Sequence, residues 1–226
     1  MPAARTKLAA LTALAAFAGV PLPAHAAVTD AAGDYLATYT GPQAGDLDLL
    51  EVDAALGASE VGFRAVLNGD VGTTAGAFVA FGVNRGAGTA GLFQLNAPKI
   101  GAHALHDAVV LLRPNLTGTV VLIGAGGALT FTSLAPGSIS VSGDTITGLV
   151  PLSMLPTTGF AAADYTYVAW TRSGPGSNAL VADFAPGSTT FSATVPEPAA
   201  WGLMILGFAA CGGALRQRRF LAAQVA

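Results

Sequence analysis

The chain has little cysteine, little histidine and little basic charge. Its 226 residues include one cysteine, three histidines and ten lysine and arginine residues. A single cysteine, Cys211, excludes an internal disulfide framework, and in an apolar run it is read as a small packing residue. The scarcity of clustered lysine and arginine argues against nucleic acid as a partner, because phosphate binding depends on such clusters.

Residues for catalysis are also scarce. Nucleophilic hydrolysis requires a serine or cysteine beside a base and an orienting acid, and no G-x-S-x-G elbow occurs. His103, His106 and Asp107 form the nearest approach to a metal set, but their spacing does not place them on one face of a strand or loop. The pattern favours a solvated loop there, and the sequence predicts a protein without catalytic activity.

The first 26 residues have the pattern of a secretory signal peptide. Arg5 and Lys7 precede an uncharged apolar stretch over 8–20, and Ala24 and Ala26 form an A-x-A cleavage site. The apolar stretch is too short to span a membrane as an anchor. We expect signal peptidase to remove 1–26 during export.

The C-terminal thirty residues combine the rigid triplet Pro196, Glu197 and Pro198, an apolar run and a cluster of arginines. The run over 199–215 is uncharged and about 17 residues long, which predicts one transmembrane helix. The arginines that follow predict that its end and the tail 220–226 remain in the cytoplasm. Two prolines in the preceding triplet exclude it from a regular helix or central strand, so it is an accessible segment.

This arrangement resembles the PEP-CTERM sorting signal of Gram-negative bacteria, in the form with a tryptophan after the triplet. The resemblance covers 196–219. It implies recognition by the membrane protease exosortase, cleavage near the triplet, and either release or covalent transfer to the cell envelope. The tail 220–226 departs from the family, whose members end nearer the basic cluster. The residues that carry the resemblance are Pro196, Glu197, Pro198, Trp201, Arg216, Arg218 and Arg219.

Between the terminal signals, 27–195 is long enough for one domain with a core. It carries twelve acidic and five basic side chains, so an acidic domain lies between basic ends. This balance again argues against nucleic acid and makes a cation such as calcium a reasonable ligand.

Short apolar runs separated by Gly, Asn, Asp and Pro predict an all-β domain, an antiparallel two-sheet sandwich with a jelly-roll-like layout. In one run, Val61, Phe63, Ala65 and Leu67 alternate and share one face of a strand. A single helical turn is expected over 152–155. The predicted strands cover 47–56, 60–68, 77–84, 91–95, 108–113, 118–123, 129–132, 138–142, 145–150, 165–171 and 180–184.

Aspartates near both ends of the domain suggest a calcium site. Asp46 and Asp48 alternate, which would point both to one face of an extended segment. Calcium takes six to eight oxygen ligands, and the first and last strands of a sandwich are often neighbours. The alternative is that these are exposed, unpaired acids of turns and edge strands. The hypothesis names Asp30, Asp34, Asp46, Asp48 and Asp183.

The domain also loosely resembles jelly-roll carbohydrate-binding modules and DOMON-like sandwiches, in its early aspartates and late aromatic strand. Tyr165 and Tyr167 share one face of that strand, and Trp170 lies on the other. Exposed aromatic rings could stack on sugars. For Trp170 the pattern favours packing in the core.

These observations predict an exported protein of the envelope or extracellular matrix, structural or binding, with exopolysaccharide as a candidate partner. It would be attached to the membrane until exosortase processes it. The alternative is a carbohydrate-binding module or a carbohydrate-active enzyme of the exopolysaccharide matrix. A glycosidase would need paired carboxylates in a cleft.

Overall fold

Two antiparallel sheets make up most of the described chain. The computed structural model describes residues 27–187 and 189–193. The predicted signal peptide 1–26, the sorting signal 196–219 with its helix 199–215, and the tail 220–226 lie outside the described residues. Within the described ranges, no helix has the length and apolar character needed to cross a membrane.

Twelve strands and one short α-helix form in the described residues. The strands are β1 (Val28–Thr29), β2 (Leu49–Leu56), β3 (Glu60–Leu67), β4 (Phe78–Asn84), β5 (Ala108–Leu112), β6 (Gly118–Ile123), β7 (Leu129–Ser133), β8 (Ile139–Ser142), β9 (Thr145–Pro151), β10 (Thr166–Arg172), β11 (Val181–Ala185) and β12 (Phe191–Ser192). The helix α1 is Leu92–Leu95.

The smaller sheet has the order β1-β2-β3-β9-β8, and the larger has the order β11-β10-β4-β5-β6-β7 with β12 also paired to β10. In the larger sheet, β4, β5 and β6 follow one another, and β10 returns to lie beside β4. Between β7 and β10 the chain passes through β8 and β9 of the smaller sheet. The described residues therefore form a β-sandwich-like fold, as the spacing of apolar runs predicts.

The main core lies between the two sheets. Phe63 on β3 packs against Phe81 on β4 and Tyr167 on β10, with ring centroids 4.9 Å and 5.7 Å away. The alternation of β3 predicts which of its residues enter this core, and Val61, Phe63, Ala65 and Leu67 are all buried there. The structure thus confirms the prediction, which rests on the side-chain period of two in a strand.

A second apolar cluster covers the outer face of the larger sheet. Residues 85–107 leave the end of β4 and cross this face before β5 begins. Phe93 of α1 packs edge-on against Trp170 and Phe184 at 4.9 Å and 5.2 Å. The larger sheet is therefore apolar on both faces, which explains why β4 reads as a nearly continuous apolar run.

The strand predicted over 91–95 is wrong, because Leu92–Leu95 is helical. Gly91 has a φ of +43°, which ends any extended conformation before the helix. The other predicted strands are present, with ends displaced by at most two residues, and the turn predicted over 152–155 is a 3-10 helix over Leu152–Met154. Two short edge strands, β1 and β12, were not predicted.

Candidate functional site

Three aspartates from distant parts of the sequence meet at one edge of the sandwich. Asp30 directly follows β1, Asp34 follows a turn at Gly33, and Asp183 is the central residue of β11. Each offers a carboxylate oxygen, and these oxygens lie within 4.8 Å of one another. Among the described residues, no other group of three or more acidic, histidine or cysteine side chains is arranged to hold a metal ion.

Residues 27–40, here called the N-terminal arm, bring these acids together. The arm first pairs with β2, where Val28 is opposite Val52. It then crosses to the larger sheet, where the amide of Leu36 donates to the carbonyl oxygen of Ala182 at 2.8 Å. Since β2 and β11 belong to different sheets, the arm bridges the open edge of the sandwich and carries Asp30 and Asp34 to Asp183.

Asp183 is a buried acid with a structural role of its own. Its Oδ2 accepts a hydrogen bond from the amide of Leu49 at 2.8 Å, and its Oδ1 accepts one from the amide of Phe184 at 2.7 Å. Burial raises the pKa of Asp183 to about 8, against the opposing effect of the Leu49 hydrogen bond, and the charges of Asp30 and Asp34 raise it further. The site therefore resists the accumulation of negative charge.

Asp48 lies against the same turn of the arm and is fully buried. Its Oδ2 accepts hydrogen bonds from the amide of Gly33 at 2.8 Å and from Nδ2 of Asn68 at 2.9 Å. Its Oδ1 is buried and has no hydrogen-bond partner, and the same is true of Oδ2 of Asp30. Burial raises the pKa of Asp30 to about 6, with added effects from the charges of Asp34 and Asp48.

Asp46, the fifth aspartate of the calcium hypothesis, is engaged elsewhere. Its two carboxylate oxygens accept hydrogen bonds from the amide and the hydroxyl of Thr74, at 2.6 Å and 2.7 Å. The sequence places Asp46 and Asp48 on one face, but a 3-10 helix over Gly45–Leu47 interrupts the extended conformation. A helical turn abolishes the period of two, so the two side chains diverge.

His103, His106 and Asp107 do not form a metal site in the described structure. His106 is buried between Phe93 and Trp170, with ring centroids at 5.3 Å and 5.6 Å, and burial lowers its pKa, which favours the neutral ring. His103 is exposed. The predicted solvated loop is wrong for His106 and Asp107, since both are buried.

Asp107 instead forms a buried ion pair. Nε of Arg85 lies 2.9 Å from its Oδ1, and both side chains are almost fully buried. Burial alone would raise the pKa of Asp107, but hydrogen bonds from the Thr158 hydroxyl and from Arg85 lower it below its usual value. The arginine also donates to the carbonyl oxygen of Pro156, so this pair fastens the 85–107 segment to the loop after β9.

A cleft opens on the outer face of the larger sheet. We call it the outer cleft: two adjoining hollows, of about 570 Å³ and 210 Å³, that share Phe78, Leu111, Phe131 and Pro175. Phe131 on the edge strand β7 is 64% exposed, although its ring is large and apolar. Arg113 and Asn115 supply polar groups to the larger hollow. The surface is thus apolar, open and edged by hydrogen-bonding groups.

Of the three aromatic residues singled out in the sequence, only Trp170 lines the cleft. Tyr165 and Tyr167 are buried between the sheets, so neither ring is available to a sugar. Trp170 is buried, as the sequence pattern predicts, but it lies in the outer cluster and not between the sheets. It also lines the smaller hollow. Phe131 was missed, and its only signal was the alternation of apolar residues with threonine along β7.

Comparison with known proteins identifies no relative: no protein-family model, no curated protein and no solved structure matches the chain.

Proposed function

We propose that this protein is exported, processed by exosortase near Pro196, Glu197 and Pro198, and serves in the envelope or extracellular polymer matrix as a non-catalytic binding component. The outer cleft is the observation that carries this proposal. An apolar hollow with an exposed phenylalanine is unusual on the solvent side of a sheet, and such surfaces commonly mark binding sites.

The sequence of the two termini supports the export route. An A-x-A site at Ala24 and Ala26 precedes the domain, and the basic cluster follows the apolar run 199–215. The last described strand, β12, ends at Ser192, a few residues before the triplet. A precursor held by the apolar run would therefore keep the domain next to the membrane until processing separates them.

A polysaccharide chain is the occupant that suits the outer cleft best. The apolar faces of sugar rings pack on aromatic side chains, and Phe131 and Phe78 present such surfaces. Arg113 and Asn115 lie where hydroxyl groups of the sugar would need partners. The two-sheet antiparallel architecture is compatible with the likeness to carbohydrate-binding modules.

The lining of the outer cleft favours binding over catalysis. A glycosidase needs two carboxyl groups beside the scissile bond. No aspartate or glutamate is among the described residues that line either hollow. The acids that do lie close together, at the N-terminal arm, are outside this cleft, and Asp183 is only 2% exposed.

Binding of exopolysaccharide from the producing strain to the secreted, processed protein tests the proposal. We expect Phe131→Ala to weaken binding by roughly two- to tenfold, because stacking on a ring contributes about 0.5–1.5 kcal/mol. Phe160→Ala is the matched control, since Phe160 is 39% exposed and does not line the cleft. Equal affinities of both variants would reject the cleft, and new reducing ends in the polymer would establish the enzyme alternative.

A further inference from the structure

The geometry points to a calcium site formed by Asp30, Asp34 and Asp183, beside the buried carboxylate of Asp48, that fixes the N-terminal arm at the edge of the sandwich. This inference does not depend on the outer cleft or on polysaccharide binding. It uses acids that lie outside that cleft and that no step of the proposed function requires.

The separation of the carboxylate oxygens is the first argument. Calcium binds oxygens at about 2.3–2.6 Å, so two ligands on opposite sides of one ion lie about 5 Å apart. The oxygens of Asp30, Asp34 and Asp183 all lie within 4.8 Å of one another. Three carboxylates at that separation repel one another strongly when ionised, and a divalent cation between them converts the repulsion to attraction.

Asp48 supplies an independent observation. Its side chain is fully buried, and its Oδ1 has no hydrogen-bond partner. Buried polar atoms are seldom left without a partner in folded proteins, and a bound ion is one of the accepted explanations. The other oxygen is held by the amide of Gly33, next to Asp34, and the charge of Asp48 acts on Asp30. The unpartnered Oδ1 of Asp48 therefore belongs to a carboxylate that is held against the turn of the arm at Gly33.

Asp30 repeats the feature within the cluster itself. Its Oδ2 is buried and has no hydrogen-bond partner, while its backbone amide is held by the carbonyl oxygen of Leu50 at 2.9 Å. The residue is thus positioned by the backbone pairing beyond β1. The amide of Ala31 donates to its carboxylate, but the buried Oδ2 has no donor. A cation held by the cluster would supply the interaction that Oδ2 of Asp30 lacks.

The chemistry of the ligands selects calcium. All three side chains offer carboxylate oxygens, and no histidine or cysteine joins the cluster, which disfavours zinc and copper. Asp34 is exposed, so water molecules can complete a coordination number of six to eight. Magnesium requires a smaller and nearly ideal octahedral arrangement, which carboxylates from two separate segments, the arm and β11, meet poorly.

The position of the site indicates what calcium does. Asp30 and Asp34 belong to the N-terminal arm, Asp48 precedes β2 of the smaller sheet, and Asp183 is on β11 of the larger sheet. One ion that binds Asp30, Asp34 and Asp183 would join the arm to the larger sheet, next to the hydrogen bond from the Leu49 amide of the smaller sheet to Asp183. The arm is otherwise held by a two-residue strand, hydrogen bonds and the packing of Leu36, Tyr35 and Tyr39, so calcium would add a further attachment at Asp30 and Asp34.

Titration of calcium chloride into the metal-free processed protein, followed by calorimetry, tests the inference. We expect one site per chain, and magnesium chloride to bind at least tenfold more weakly. Asp34→Asn should weaken calcium binding at least tenfold, and it is the preferred variant because Asp34 is exposed and its replacement leaves the packing intact. The matched control is Asp144→Asn, an exposed acid in the turn between β8 and β9, which should leave the affinity unchanged.

Melting temperatures keep the test independent of folding defects. Without metal, Asp34→Asn should melt at or above the temperature of the unmodified protein, because one repelling charge has been removed, and calcium should raise its melting temperature less. Asp30→Asn should behave in the same way. The inference is overturned if the unmodified protein shows no binding heat and melts identically with calcium and with chelator, or if Asp144→Asn lowers the affinity as much as Asp34→Asn.

Discussion

The carboxylate of Asp183 accepts a hydrogen bond from the backbone amide of Leu49 at 2.8 Å, and this bond joins the two sheets where the N-terminal arm crosses them. Asp183 lies on β11 of the larger sheet, and Leu49 begins β2 of the smaller one. The acid is only 2% exposed, so the sandwich closes at this edge around a buried carboxyl group. Its ionisation state therefore matters to stability.

The stability of the metal-free protein should fall as pH rises. Burial raises the pKa of Asp183 to about 8 and that of Asp30 to about 6, and the neighbouring charges that shift them, on Asp34 and Asp48, are acidic. The folded chain thus binds these protons more tightly than the unfolded chain. The stability that these two bound protons give the folded chain is complete below about pH 4. It is lost as pH rises through the pKa of Asp30, about 6, and that of Asp183, about 8. Thermal melts at about pH 5 and about pH 8 measure the effect.

Calcium should reverse this loss near pH 8. An ion that binds only the folded chain, at a hundredfold excess over its Kd, stabilises by about 2.7 kcal/mol, or roughly 5–10 °C in melting temperature for a chain of this size. Binding should also release protons between about pH 4 and pH 8. Metal-free melting temperatures that are equal at both pH values would contradict the assigned titration of Asp183 and Asp30.

Arg85→Met should destabilise the fold strongly. It leaves the buried carboxylate of Asp107 without its ion-pair partner, and breaking such a pair costs about 3–5 kcal/mol. The control is Arg64→Met, whose partner Glu51 lies on the surface of the smaller sheet, and which should cost less than about 1 kcal/mol. Urea unfolding measures both. Similar losses for the two variants would show that burial of the Arg85 pair is energetically unimportant.

Gly148→Ala should destabilise the core between the sheets. A Cβ at this position of β9 would lie 2.6 Å from Cδ2 of Leu112, which is fully buried and cannot swing aside. Overpacking of this kind costs about 1–3 kcal/mol. Gly62→Ala is the control, because its Cβ would lie 3.6 Å from Leu149, an exposed side chain, and the change should stay within about 0.5 kcal/mol. A smaller loss for Gly148→Ala than for Gly62→Ala would refute this account of the packing.

Processing should depend on the sorting triplet. Replacing Pro196, Glu197 and Pro198 with alanine removes the stiff, accessible segment next to the apolar run, so the protein should remain uncut. Mass spectrometry of the exported protein locates its C-terminal residue. Pro136→Ala, in an exposed turn of the domain, serves as the control and should leave processing unchanged. Recovery of intact Ala226 from an unmodified strain with active exosortase would rule out the assignment.

Local patterns in the sequence determined most of the strands. Alternation in Val61, Phe63, Ala65 and Leu67 predicts the buried face of β3, because a strand has a side-chain period of two whatever it pairs with. Turn residues such as Gly143 and Asp144 mark strand ends for an equally local reason. The terminal signals are likewise read from short stretches of sequence, and their function stays a prediction.

Only the tertiary structure decided which residues form the candidate sites. The sequence placed Asp46 and Asp48 together, yet a 3-10 turn separates them, and Asp34 meets Asp183 across about 150 residues of chain. Phe93 packs on the outside of a sheet because a long excursion covers that face. Pairing of sheet edges and covering of faces depend on long-range packing, which the period of a single strand does not encode.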